Sequence, residues 1–99
     1  MSTVRFETDG EQVYRIIGEL NMSTVPQLLK DVSVLFSVNG ESRIIDLAEV
    51  SRSDSAGLAL LLEWQRVAEA QDIQLTFRNI PEQMQAIIQI SGLEKLISS

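Results

Sequence analysis

The stretch Arg43-Ile44-Ile45-Asp46-Leu47 constrains the fold more than any other part of the chain. It is short and nearly all apolar. Such a run suits a central strand covered on both faces. A loop follows, Ala48-Glu49-Val50-Ser51-Arg52-Ser53-Asp54-Ser55-Ala56-Gly57, and leads into a helix expected from about Ala56 to Gln71. Ile73-Gln74-Leu75-Thr76-Phe77 then alternates apolar and polar, as a half-buried strand does. Strand, helix and strand in this order make a right-handed crossover.

The flanking sequence adds elements on both sides. Thr3-Val4-Arg5-Phe6-Glu7 alternates as a strand, Asp9-Gly10 signals a hairpin turn, and Val13-Tyr14-Arg15-Ile16-Ile17 is the second strand. Gly18-Glu19-Leu20-Asn21-Met22 is expected to be a connecting loop. A helix starts near Ser23-Thr24, with Pro26 in its first turn, where a missing N–H costs nothing. Val25, Leu28, Leu29, Val32, Leu35 and Phe36 share one arc of it, and Lys30, Asp31 and Ser33 face away. Asn39-Gly40 ends that unit. Pro81 opens a last helix with Met84, Ile87 and Ile88 on one face, and Gly92 is placed to stop it. Leu93-Glu94-Lys95-Leu96-Ile97 is expected to form a short terminal turn. The order is β-β-α-β-α-β-α. It implies an α/β fold: a four-stranded mixed sheet with helices packed against it. The 99 residues are expected to form a single domain, 1–99.

Composition narrows the chemistry. The net charge of −6 argues against nucleic acid and against direct adhesion to an anionic bilayer. No apolar run approaches the ~20 residues of a membrane-spanning helix, and the N-terminus lacks the pattern of a signal peptide. The chain reads as cytoplasmic. It has no cysteine and no histidine, so thiolate chemistry, the commonest general base and the commonest metal ligand are all missing. Neither Lys30 nor Lys95 is close in sequence to a plausible nucleophile. No Gly-rich phosphate loop is present. A non-catalytic protein without cofactor or metal is expected.

The turn Ser53-Asp54-Ser55-Ala56-Gly57 carries the functional signal. Hydroxyls and a carboxylate crowd a helix N-terminus, where free N–H groups and the positive dipole end lie. One reading is plain N-capping by Asp54 or Ser55. The other is an exposed Ser55 hydroxyl that can be phosphorylated or can sit at the centre of a protein interface. Gly57 lacks a Cβ, so a partner's backbone could approach there. On the following helix Leu60, Leu61, Trp64, Val67 and Ala68 form the expected core face. Glu63, Gln65, Arg66 and Glu69 mark the solvent side. Leu58 and Leu62 project near that polar side. They belong either to a first turn buried all round or to an apolar patch beside the serine.

The stretch from Ile45 to Leu61 resembles the signature of STAS domains, in the pattern D-L-x-x-V-x-x-x-D-S-x-G-L. Gly18-Glu19-Leu20, Leu58-Ala59-Leu60-Leu61-Leu62 and Phe77-Arg78-Asn79-Ile80-Pro81-Glu82-Gln83-Met84 resemble, more closely, the stand-alone STAS subunits of Mla-type phospholipid transporters. That resemblance implies a non-enzymatic cytoplasmic subunit at the inner membrane. It would bind the ATPase subunit of an ABC transporter, in a complex with permease and periplasmic lipid-binding subunits. It would support phospholipid movement between inner and outer membranes. The family's key hydroxyl falls on Ser55, with Asp54 and Gly57 at the flanking positions. The partner-binding set is then Asp54, Ser55, Ala56, Gly57, Leu58 and Leu62. The alternative within the wider family is an anti-sigma factor antagonist, a partner-switching regulator controlled by phosphorylation of Ser55. Those antagonists commonly carry a second serine where this chain has Ala56.

Overall fold

The computed structural model describes residues 4–8, 13–30 and 42–93. Their elements are β1 (Val4–Thr8), β2 (Val13–Leu20), α1 (Val25–Lys30), β3 (Ser42–Ser53), α2 (Ser55–Ala70), β4 (Gln74–Arg78) and α3 (Glu82–Ser91). The order is the expected one. The strands form one sheet in the order β1-β2-β3-β4, with β1 antiparallel to β2 and both other pairs parallel. The predicted hairpin turn at Asp9-Gly10 lies outside the described residues. So do Val32, Leu35, Phe36, the Asn39-Gly40 turn and the terminal segment beyond Leu93.

The core lies between the sheet and α2. Ile16, Ile45, Leu60, Leu61, Trp64 and Phe77 are fully buried there. Each such side chain contributes roughly 1.5–3 kcal/mol by leaving water. Trp64 meets Phe6 of β1 at 5.8 Å between ring centroids, and Phe6 stacks on Tyr14 of β2 at 5.4 Å. α2 packs against α1, α3, β3 and β4, so the described helices make one layer. Val25 and Leu28 anchor α1, while Leu29, expected on the same arc, is exposed. Met84 and Ile88 anchor α3, which ends at Gly92 in the left-handed region as expected.

Among the described residues, the two faces of the central strand are not equally apolar. Ile45 and Leu47 of β3 are buried, but Ile44 points the other way and is half-buried. The register aligns Glu7, Arg15, Asp46 and Arg78 across the four strands, a row of alternating charge on that opposite face.

Two strands are longer than their patterns suggest. β2 runs on through Gly18-Glu19-Leu20, and β3 through Ala48 to Ser53, where loops were expected. The two extensions pair with each other, Glu19 with Arg52 and Leu20 with Ser53. The pairing is irregular between Arg15 and Ile17 and between Gly18 and Glu19. Gly18 takes φ 121°, which an L side chain rarely adopts. These bulges break strict alternation and hide the strands from a period-2 reading.

Candidate docking site

The extended ends of β2 and β3 deliver the chain to the turn before α2. Asp54 is the N-cap, with φ −113° and ψ −165°, and its side chain accepts the Ala56 N–H at 2.8 Å. The Asp54 N–H donates to the Leu20 carbonyl at 3.1 Å and the Gly57 N–H to the Asp54 carbonyl at 3.0 Å. The Ser53 hydroxyl donates to the same carbonyl at 3.2 Å. The helix therefore opens at Ser55, one residue earlier than expected.

Capping falls to Asp54, and that leaves Ser55 free. Ser55 is exposed at the first helical position, and among the described residues its hydroxyl makes no hydrogen bond. Of the two expected cap residues, Asp54 is the one that caps, and Ser55 keeps the exposure that the second reading needs. Ala56 is half-buried beside it.

Gly57 and Leu58 lie beneath the turn. Gly57 is buried, and a Cβ there would collide with the Ser53 hydroxyl and come within 3.1 Å of both Leu20 Cβ and Met84 Cε. Its missing side chain thus serves the close approach of α2 to β2 and α3, and no partner backbone has access to it. Leu58 is only 5% exposed and belongs to the core, so the first turn is buried on that side. Leu62 is half-buried and lines a shallow groove with Gln65, Arg66 and Glu69. The surface offered outward at the turn consists of Asp54 and Ser55 with half-buried Ala56 beside them, and Leu62 lies about 10 Å further along α2.

A polar cleft of about 320 Å³ opens next to the turn, lined by Glu19, Leu20, Asn21, Arg52, Ser53, Asp54 and Gln83. The β2–α1 turn forms its other wall and is closely hydrogen-bonded. The Asn21 side-chain oxygen accepts the N–H groups of Ser23 at 2.8 Å and Thr24 at 3.1 Å. Buried Thr24 accepts the Asn21 N–H at 3.0 Å and donates its hydroxyl to the Glu19 carbonyl at 2.7 Å. The sequence places a cap near Ser23-Thr24. The structure gives that work to Asn21 and Thr24, a pair three residues apart that the sequence does show.

A second polar cluster holds the middle of β3. Buried Asp46 accepts from Arg78 at 3.0 Å, from the Asn79 side chain at 3.0 Å and from the Ala48 N–H at 2.9 Å. Burial pushes its pKa up, but these hydrogen bonds and the Arg78 charge outweigh it and hold the carboxyl below the ordinary aspartate value. The contact also fixes Asn79, whose φ is 60°, at the entry to α3. Its function is structural. Among the described residues no cluster of acidic side chains could hold a metal ion, and no helix is long and apolar enough to cross a membrane.

Relatives share this architecture. The chain is similar to the anti-sigma factor antagonist SpoIIAA in its unphosphorylated form, at TM-score 0.72 and 24% identity, covering 96% of this chain and 85% of that one. It is similar to an anti-sigma factor antagonist from Mycobacterium paratuberculosis, at TM-score 0.71 and 22% identity, covering 98% and 83%. It is similar to the Bacillus cell fate determinant SpoIIAA in the phosphorylated form, at TM-score 0.70 and 26% identity, covering 96% and 88%. No curated protein sequence matches the chain. The model of the family described as "Mlab, STAS domain" matches residues 4–98. With nearly its whole length matched and the STAS fold in place, the chain belongs to the MlaB-type STAS domain family.

Proposed function

We propose that the chain is a non-catalytic cytoplasmic subunit that binds and supports the ATPase of an ABC transporter moving phospholipids between inner and outer membranes. The observation that carries this reading is the MlaB-type family match over residues 4–98. The geometry of the turn supports it. Ser55 is exposed with an unbonded hydroxyl among the described residues, and the Asp54 cap beside it fixes the backbone of the turn. The protein sits at the inner membrane through its partner, which belongs to a complex with permease and periplasmic lipid-binding subunits. Affinity capture of the tagged chain from its native cells tests this. The ATPase and permease are expected in the eluate. Recovery of a kinase-like anti-sigma factor in their place overturns the reading.

A second reading is favoured by the free Ser55 hydroxyl at a helix start and by the similar fold of SpoIIAA, known in phosphorylated and unphosphorylated forms. Here the chain is a partner-switching regulator. Phosphorylation of Ser55 adds about two negative charges and expels the partner. Intact-mass spectra of the native protein then contain a phosphorylated species. Its absence across several growth conditions removes this alternative.

A further inference from the structure

We infer that Met22 is a second anchor of the docking surface, entering an apolar socket on the ATPase next to a basic side chain that meets Glu19 and Asp54. This inference rests on the docking reading of the Ser55 turn. Among the described residues only Met22, Leu29 and Ile90 are large hydrophobics left exposed, and Met22 is 82% exposed.

A solitary exposed apolar side chain is ordinary. Met22 differs in its support and its place. It sits in the turn whose backbone is fixed on both sides by Asn21 and Thr24. A partner that takes it need not order a loop first, so less of the contact energy is lost to entropy. The turn is also tied to the Ser55 turn, because the Leu20 carbonyl accepts the Asp54 N–H at 3.1 Å. The two turns wall a single cleft, and Met22 follows directly after the cleft residues Glu19, Leu20 and Asn21.

The chemistry of the partner follows from these neighbours. Methionine is unbranched and polarizable, and adapts to an apolar socket. Two carboxylates, Glu19 and Asp54, share the cleft with one arginine, Arg52, on a chain of net charge −6. A complementary surface is basic at that point. Asp54 spends one oxygen on the Ala56 N–H, and its other oxygen accepts no bond among the described residues.

The test uses the purified ATPase subunit of the transporter from the same cells, titrated against the full chain and its variants. Met22→Glu is expected to weaken binding about tenfold or more, with the thermal midpoint unchanged. Met22→Leu is expected to keep near-native affinity, and binding is expected to weaken as salt rises. Ile90→Glu is the control. Ile90 is 87% exposed but lies seven residues beyond Gln83 on α3, about 10 Å along the helix, and its variant is expected to bind like wild type. If Met22→Glu binds as wild type does while Ser55→Glu does not, the Met22 anchor is overturned and the docking reading stands. If Met22→Leu binds as weakly as Met22→Glu, the apolar socket is overturned. If the wild-type chain does not bind the ATPase at all, both fail.

Discussion

Ser55 and Gly57 stand two residues apart and do opposite things. Ser55 faces water with an unbonded hydroxyl, while Gly57 is pressed against Leu20 and Met84. Gly57→Ala forces the Ser53 hydroxyl aside and crowds a Cβ that cannot rotate away. A loss of about 1–3 kcal/mol is expected, read as a lower urea midpoint. Asp54→Ala removes the cap and is expected to cost about 1 kcal/mol in the same measurement, whereas Ser55→Ala stays within about 0.5 kcal/mol of wild type. A stability loss for Ser55→Ala as large as that of Asp54→Ala would show the serine to be structural. The residue types of this turn suit a helix N-terminus, and the structure places one there with Asp54 as its cap. The sequence does not say which way Gly57 or Leu58 faces. That depends on β2 and α3, which reach the turn from 37 residues before Gly57 and 27 residues after it, through Leu20 and Met84.

Strand β3 is where local pattern and fold diverge. The apolar run at residues 43–47 is legible as a strand, but the polar run to Ser53 is not. Its strand character comes from pairing with the end of β2, and the intervening bulge resets which residues face the core. Asp46 shows the same limit. A carboxylate inside an apolar strand is unexplained until Arg78 and Asn79 arrive from β4 and the segment after it. Its lowered pKa has a defined consequence. A carboxylate with a folded-state pKa below its unfolded value of about 3.9 stabilises the protein above that value, and loses that contribution as pH falls through the folded-state pKa. Asp46→Asn is expected to cost about 1–3 kcal/mol at pH 7 and to unfold with a shallower dependence on pH below about 4. Equal acid sensitivity in the two proteins would mean that other carboxylates control the transition. Thermal melts from pH 2 to 7 decide it.

At the scale of the whole molecule, the described helices form one layer against the sheet, and the parallel strands β2 and β3 end together beside α2. The element order alone implied the mixed sheet and its crossovers. It did not reveal the row of alternating charge on the second face, because a five-residue apolar run does not specify what lies on each face. The arrangement gathers Asp54, Ser55, the polar cleft and Met22 at one end, where a single partner surface can reach them all. On the proposed function, this end docks the transporter ATPase through Ser55. The most direct test is calorimetric titration of the purified ATPase with wild type and Ser55→Glu, after thermal melts show the two equally folded. The expected result is a wild-type complex that the variant loses or weakens at least about tenfold. Equal affinity for both proteins would contradict it.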